Sequence, residues 1–156
     1  MDTNLKVDPT KDTPLVSVLM LTYNGARFIK EAIESVLSQT YPHVELIIID
    51  DGSADRTKEI IRGFTDKRIR YICHEHNAGL LVRRKESLNL AEGAYVAVLD
   101  SDDLWLPTKL EKQVDHLGAH PDCVLVGTWI TRMDERGAMI GTTKYNSDDL
   151  SIRASI

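Results

Sequence analysis

The sequence has no apolar run near the roughly 20 residues needed to cross a bilayer, and its polar N-terminal segment (MDTNLKVDPTKDTP) does not resemble a signal peptide. It has only two cysteines, Cys73 and Cys123, with no CxxC or Cys/His spacing. This argues against a zinc site and favours buried thiols in a reducing compartment. These absences predict a cytoplasmic protein and leave open a peripheral contact with the inner face of the membrane.

Basic runs are also missing. The 19 lysines and arginines are scattered and the net charge is −5, which argues against a nucleic-acid partner. Acidic residues instead gather directly after apolar runs, which suits cation binding. At 156 residues, with 42% apolar and 28% charged residues, the chain fits one soluble domain. A domain of this size buries roughly 70% of the surface of its unfolded chain.

Apolar runs alternate with segments of helical spacing. Strands are predicted at 15–21, 45–49, 69–73, 95–99 and 123–130, and helices at 26–40, 53–64, 80–92 and 107–118. The first, second and fourth runs are nearly continuous, as in strands buried on both faces of a parallel sheet. The pattern predicts an α/β fold with a mainly parallel sheet, helices on both faces and right-handed crossovers.

The domain limits and the end of the chain are predicted separately. Residues 1–13 are expected to form a disordered leader, 14–143 the folded domain and 144–156 an uncertain tail. Within the domain, residues 134–137 are expected to turn a hairpin back through 138–143.

Polar residues follow three of the predicted strands and open the third helix. These segments are Thr22-Tyr23-Asn24, Asp50-Asp51-Gly52-Ser53, Asp100-Ser101-Asp102-Asp103 and Asn77-Ala78-Gly79. Ligands of open α/β sheets bind outside the carboxyl ends of the strands, so these segments are expected to converge on one ligand-binding edge.

The acidic turn at 100–103 favours a hard divalent cation. Its closely spaced carboxylates repel one another, and Mg²⁺ or Mn²⁺ prefers oxygen ligands, often with substrate phosphates completing the coordination. The alternative is an Asp-rich turn whose side chains satisfy the backbone. The residues alone leave the two about equally supported.

Other candidates also have structural alternatives. Asp50 and Asp51 suit a ribose or base contact, or a helix cap aided by Ser53. Tyr23 offers a flat face for a base, although such tyrosines usually only pack. Arg84 suits a diphosphate clamp, although a solvated helix charge is the commoner role.

In their order and spacing, these segments resemble the family 2 glycosyltransferases of GT-A fold from about residue 14 to residue 141. The matching stretches are VSV into TYN (16–24), SVLSQTYP (35–42), ELIIIDDGS (45–53), Asn77, Gly79, Arg84, EG (92–93), Tyr95, LDSDD (99–103), Pro107, Lys109 and Leu110. The resemblance implies inverting transfer of a sugar from a nucleotide-diphosphate donor, with UDP favoured by family habit, to a carbohydrate or lipid-linked hydroxyl acceptor. Polysaccharide assembly is one such pathway.

The resemblance also implies residue roles. Thr22, Tyr23 and Asn24 would lie at the nucleoside, Asp51 would accept a hydrogen bond from the base, and Arg84 would meet the diphosphate. Asp100 would lie near the sugar or ribose, and Asp102 or Asp103 would bind Mg²⁺ or Mn²⁺.

The sequence departs from the family pattern in two ways. Lys85 and Ser87 stand where relatives usually carry Asn and Gly, and no general base is found, because Asp148 and Asp149 come too early. The chain is therefore expected to be a donor-binding part cut short before the acceptor half.

Three alternatives use the same residues differently. A non-catalytic nucleotide-sugar-binding module would share the whole donor site and lack only the base. A phosphotransferase with an Asp nucleophile is disfavoured, because Leu104 stands where a Thr is expected. A purely structural interaction domain would leave the clustered acids unexplained. The sugar, acceptor and oligomeric state are not determined.

Overall fold

The computed structural model describes residues 13–134 and 136–144, so the predicted leader and tail lie almost wholly outside the described residues. The elements are β1 (Val16–Thr22), α1 (Ile29–Leu37), β2 (Val44–Asp50), α2 (Thr57–Arg62), β3 (Ile69–Cys73), α3 (Leu80–Leu90), β4 (Tyr95–Val98), α4 (Lys109–Ala119), β5 (Ile130–Met133) and β6 (Met139–Thr143). The chain divides into two compact units, the first ending at Asp115 and the second beginning at His116. The domain limits themselves stay a prediction.

The first unit contains a four-stranded sheet in the order β3-β2-β1-β4. Every neighbouring pair is parallel, and the register sets Thr22 opposite Asp50 and Asp50 opposite Cys73. Parallel neighbours need crossover connections, which the intervening helices provide. The predicted α/β fold with a parallel sheet is confirmed, and its strands end together at one edge.

The two central strands bury side chains on both faces, as their continuous apolar runs predict. One face of the sheet packs Val18, Met20 and Ile48 against α1, α2 and the start of α4. The other face packs Leu19, Ile47 and Ile49 against residues that include Leu90 of α3. Helices therefore cover both faces, in agreement with the prediction.

The fourth strand is buried less than predicted. β4 is an edge strand, and its Val96 and Val98 side chains are 46% and 51% exposed. A continuous apolar run indicates burial on both faces only when another layer covers both. In the described residues, β4 buries mainly the alternate side chains Tyr95 and Ala97.

Several element ends differ from the prediction. α2 begins at Thr57, so Ser53 does not cap it. Instead the Asp55 carboxylate accepts from the Thr57 backbone N–H at 3.0 Å. Gly93 does not close α3, which ends at Leu90. A Cβ at Gly93 would lie 2.7 Å from the backbone nitrogen of Ser17, so the glycine permits close approach to β1.

The second unit contains the antiparallel pair β5–β6. The predicted strand at 123–130 is wrong: residues 123–129 have no regular structure, and Val124 is 96% exposed. An apolar, β-branched segment forms a strand only where a neighbouring strand provides backbone hydrogen bonds and a surface to pack on. The predicted hairpin is confirmed, with Asp134 Oδ1 accepting from the backbone N–H of Arg136 and of Ala138 at 2.9 Å each. Among the described residues, no helix combines the length and apolarity needed to span a membrane.

Candidate functional site

The ends of β1 and β2 are joined at the predicted edge of the sheet. The Asp51 backbone N–H donates to the Thr22 carbonyl at 2.9 Å, and a Cβ at Gly52 would lie 2.9 Å from the His76 carbonyl carbon. The turn after β2 therefore touches both the end of β1 and the loop before α3. The structure brings these predicted segments together.

Asn24 links the first two loops. It is the one non-glycine residue with positive φ (54°) in the described part of the chain, a conformation that asparagine tolerates well. Its backbone N–H donates to Ser53 Oγ at 2.8 Å, and its amide oxygen accepts from the Ala54 N–H at 2.9 Å. Its amide oxygen is therefore already used in fixing the turn between Asp50 and Ala54.

The paired carboxylates after β2 have different partners. Asp50 is fully buried and accepts from the Ser53 N–H at 2.8 Å and from the Tyr71 hydroxyl at 3.0 Å, so it ties the turn to β3. Asp51 faces the loop before α3 and accepts from the backbone N–H of Ala78 and of Gly79 at 2.9 and 2.8 Å. Its third partner is Arg83, whose Nε lies 2.6 Å from Oδ1.

These contacts hold the Asp51 carboxylate in its charged form. Burial alone would raise its pKa, but the donors Ala78 N–H, Arg83 and Gly79 N–H outweigh burial and lower the pKa below its usual value. A carboxylate offers about four lone-pair positions. With three donors in place, one acceptor position remains for a further group.

Arg84 points in a different direction from its neighbour Arg83. Its Nη2 lies 3.7 Å from Asp100 Oδ1, joining α3 to the acidic turn. Its Nη1 is buried and has no hydrogen-bond partner among the described residues, as is also true of Thr22 Oγ1. Buried polar groups are rarely left unpaired, so both atoms mark an edge suited to a polar ligand.

The acidic turn is open on its outer side. Asp100, Asp102 and Asp103 are exposed, and the Asp103 N–H donates to the Asp100 carbonyl at 3.1 Å. Burial, then the charges of Asp102 and Asp100, raise the pKa of Asp103. A Cβ built on Gly25 would lie 3.4 Å from Ser101 Oγ. The acidic turn therefore lies beside the loop that follows β1.

The donor set of this turn fits a hard divalent cation. Its carboxylate oxygens are the ligands that Mg²⁺ and Mn²⁺ prefer. Burial is the main cause of the raised pKa of Asp103, and a cation would offset the smaller part that comes from the charges of Asp102 and Asp100. Within the described ranges, no group of three or more His, Cys, Asp or Glu side chains is placed to hold a metal ion. A cation held by one or two carboxylates of this turn would need its other ligands from water or substrate phosphates, as Mg²⁺ commonly does.

Tyr23 directly follows β1, and the two departures from the family pattern follow Arg84 on α3. Tyr23 is 53% exposed, which leaves its ring available to a flat ligand. Lys85 is exposed, whereas Ser87 is fully buried and donates from Oγ to the Arg84 carbonyl at 2.8 Å.

Two structural features were missed by sequence reasoning. The first is Arg83, because adjacent arginines in one helix give no signal of which one turns inward. The second is the bonding of Gln39, whose side-chain nitrogen donates to the Leu106 carbonyl at 2.9 Å and whose oxygen accepts from the Leu110 N–H at 3.0 Å. The stretch 35–42 matches the family pattern, but the pattern gives no sign that Gln39 holds the segment after the acidic turn.

Residues 17–153 match the family described as Glycosyl transferase family 2. The chain belongs to this family. The resemblance read from the motifs is confirmed, and so is the assignment to an enzyme family of glycosyltransferases. Because the match covers most of the chain, it includes every segment at the candidate site.

A curated relative is UDP-Glc:alpha-D-GlcNAc-diphosphoundecaprenol beta-1,3-glucosyltransferase WfgD of Escherichia coli. It is 42% identical over 103 residues, which are 66% of this chain and 41% of that protein. The chain also spans less than half the length of other curated relatives. The acceptor and reaction in WfgD's name are those of the longer protein.

Two solved structures support the GT-A fold. TarS of S. aureus in complex with UDP-GlcNAc has a TM-score of 0.65 and 30% identity, covering 69% of this chain and 32% of that one. The mannosyltransferase PcManGT from Pyrobaculum calidifontis, in complex with GDP-Man and Mn²⁺, has a TM-score of 0.60 and 27% identity, covering 71% and 33%. The predicted fold class is confirmed.

Proposed function

We propose that this chain binds the nucleotide-diphosphate sugar of an inverting, metal-dependent glycosyltransferase, with UDP as the favoured nucleotide. The observation that carries the proposal is the placement of Arg84. Its buried, unpartnered Nη1 and its Nη2, 3.7 Å from Asp100, set a guanidinium beside an acidic turn. Guanidinium groups bind phosphate oxygens through charge-assisted hydrogen bonds, and a cation at the turn would bind the same diphosphate.

In this proposal the nucleoside lies at the ends of β1 and β2. Tyr23 supplies an exposed ring face, Thr22 precedes it at the end of β1, and Asn24 shapes the turn. Asp51 offers its remaining acceptor position to a base N–H. The two structures described above, one with a UDP-sugar and one with a GDP-sugar, support a nucleotide-sugar ligand without deciding between the bases.

The diphosphate and sugar lie at the other side of the edge. Asp102 and Asp103 would hold Mg²⁺ or Mn²⁺, Asp100 would lie toward the sugar or ribose, and Arg84 would contact the diphosphate. When bound, the cation supplies Lewis-acid stabilisation of the departing diphosphate. Arg84 adds donors where negative charge develops, which favours the transition state over the bound donor.

Transfer needs an acceptor hydroxyl and a general base. The base takes the hydroxyl proton while the oxygen attacks the anomeric carbon opposite the leaving diphosphate, inverting the configuration. We assign no residue of this chain as that base. A carbohydrate or lipid-linked hydroxyl is the proposed acceptor, supported by the acceptor in the name of WfgD, and polysaccharide assembly is the proposed pathway.

The test is calorimetry of the 156-residue chain with UDP, with and without Mn²⁺. We expect binding that requires Mn²⁺ and that the double variant Asp102→Ala/Asp103→Ala abolishes. Asp115→Ala is the matched control, because Asp115 is an exposed acid of α4 in the same unit and is not one of the site residues. Binding of GDP or dTDP instead of UDP would correct the nucleotide. Failure of all three to bind would refute the proposal.

The alternative of a non-catalytic module is the weaker candidate for the chain taken alone, because the family match and the curated relatives are glycosyltransferases. It shares the donor site and lacks the general base, so it predicts Mn²⁺-dependent nucleotide binding without turnover. Release of UDP from a UDP-sugar by the 156-residue chain would exclude that candidate.

A further inference from the structure

Arg83 lies at the centre of a polar cluster beside the candidate nucleoside site. Its side chain is 11% exposed, and each donor group has a different partner. Nε donates to Asp51 Oδ1 at 2.6 Å, Nη1 to Glu86 Oε2 at 3.1 Å, and Nη2 to the His76 carbonyl at 3.0 Å. The guanidinium therefore joins the end of β2, the loop before α3 and α3 itself.

The same cluster restrains the loop from 76 to 79. The carboxylate of Asp51 receives the backbone N–H groups of Ala78 and Gly79 in addition to Arg83. Gly79 has φ of 90°. Because glycine also adopts many other backbone conformations, its own preference does not fix the loop, and these side-chain contacts do so. The other oxygen of Glu86, Oε1, lies 3.0 Å from His74 Nε2, which anchors the cluster to the residue that follows β3.

The contacts of Arg83 distinguish it from a ligand-binding arginine. Its donor groups face protein acceptors and its side chain is largely buried, whereas Arg84 keeps an unpartnered buried nitrogen. Consecutive residues of a helix do not share a face. The two arginines therefore serve different sides of the start of α3.

We propose that Arg83 is a positioning residue for the nucleobase, because it holds the Asp51 carboxylate and the 76–79 loop in the arrangement that leaves one Asp51 acceptor position free for a base N–H. This inference rests on the proposed function. The inference gives the two arginines of α3 different roles. Arg83 acts on the nucleoside through Asp51, and Arg84 acts on the diphosphate directly. Arg83 itself touches no part of the donor.

These different roles predict that variants of the two arginines change the dissociation constants of UDP and of inorganic diphosphate differently. Each probe is titrated in the presence of Mn²⁺. Loss of one well-formed hydrogen bond corresponds to roughly tenfold in the dissociation constant. We expect Arg83→Met to raise the Kd of UDP about tenfold while the Kd of Mn²⁺-diphosphate stays at the wild-type value. Arg84→Met is expected to raise both constants, and Arg56→Met, at an exposed arginine of another ion pair, to change neither.

Two further variants keep the test sound if Arg83→Met does not fold. Arg83→Lys keeps the charge and should recover part of the UDP affinity. The pair Arg83→Met/Asp51→Asn removes both charges and should bind UDP no more weakly than Asp51→Asn alone, because Arg83 acts through Asp51.

Three results would overturn the inference. One is a wild-type Kd for UDP in Arg83→Met. Another is an equal rise for UDP and diphosphate, which would indicate a general disturbance of the fold. The third is full additivity of the Arg83 and Asp51 effects. If the wild-type chain binds none of UDP, GDP and dTDP, the proposed function itself fails, and this inference fails with it.

Discussion

Gln39 should be one of the most costly polar residues to remove, because it joins two parts of the chain that are distant in sequence. It lies just after α1 and is 6% exposed. Its Nε2 donates to the carbonyls of Ser35 and Leu106 at 3.0 and 2.9 Å, and its Oε1 accepts from the Leu110 N–H at 3.0 Å. Leu110 lies in the first turn of α4, where backbone N–H groups have no partner within their own helix.

The magnitude for Gln39→Ala follows from these contacts. Each net hydrogen bond contributes about 0.5–1.5 kcal/mol, and a buried donor left unpaired costs about 1–3 kcal/mol. The Leu110 N–H becomes such a donor, since Leu110 is 1% exposed. The Leu106 carbonyl keeps a second donor, the Lys109 N–H at 3.1 Å, so it is not left unpaired. We therefore expect a loss of about 2–4 kcal/mol in the free energy of unfolding.

Urea unfolding, extrapolated linearly to water, measures this loss. Ser38→Ala is the matched control: its exposed hydroxyl donates at 3.4 Å to the same Ser35 carbonyl, and its removal should cost less than about 0.5 kcal/mol. Gln39→Glu should also destabilise, and less so as pH falls, because only the protonated acid can donate to a carbonyl. A Gln39→Ala loss no larger than that of Ser38→Ala would refute the reasoning.

Two further predictions concern a close backbone approach and an ion pair. Gly93→Ala should cost about 1–3 kcal/mol of unfolding free energy, because its Cβ would lie 2.7 Å from the Leu15 carbonyl oxygen. Gly118 of α4 is the control: beyond its chain neighbours and its own helix backbone, a Cβ there would meet no atom of the described residues within 4 Å, so Gly118→Ala should stabilise the protein by about 0.5–1 kcal/mol. Thermal melts in which Gly93→Ala is the more stable of the two variants would contradict the close approach at Gly93. Hydrogen bonds from Arg68 lower the pKa of Asp66 from 3.8 to about 2. The stabilisation from the Asp66–Arg68 pair, at most about 2 kcal/mol, should be present above pH 4 and lost as pH falls toward 2. Asp66→Asn should remove this part of the pH dependence of the free energy of unfolding. An unchanged pH dependence in that variant would count against the pair.

The parallel sheet was predictable because its signals are local. Continuous apolar runs at β1 and β2 require burial on both faces, and the spacing of Ile29, Ile33 and Val36 identifies the buried face of α1. The same local signal failed where burial depends on neighbours. Val124 and Leu125 are as apolar as residues of a buried strand, yet they are 96% and 76% exposed and form no strand.

By itself, the sequence determined the family, the fold class and the placement of polar residues at the ends of the strands, because these depend on the order and period of residue types. Only the tertiary structure decided which partner each polar group has. Asp50 and Asp51 are neighbours in the chain, yet one binds Tyr71 within the fold and the other binds Arg83. The direction of a side chain depends on the path of several distant segments at once, and no local pattern encodes that path.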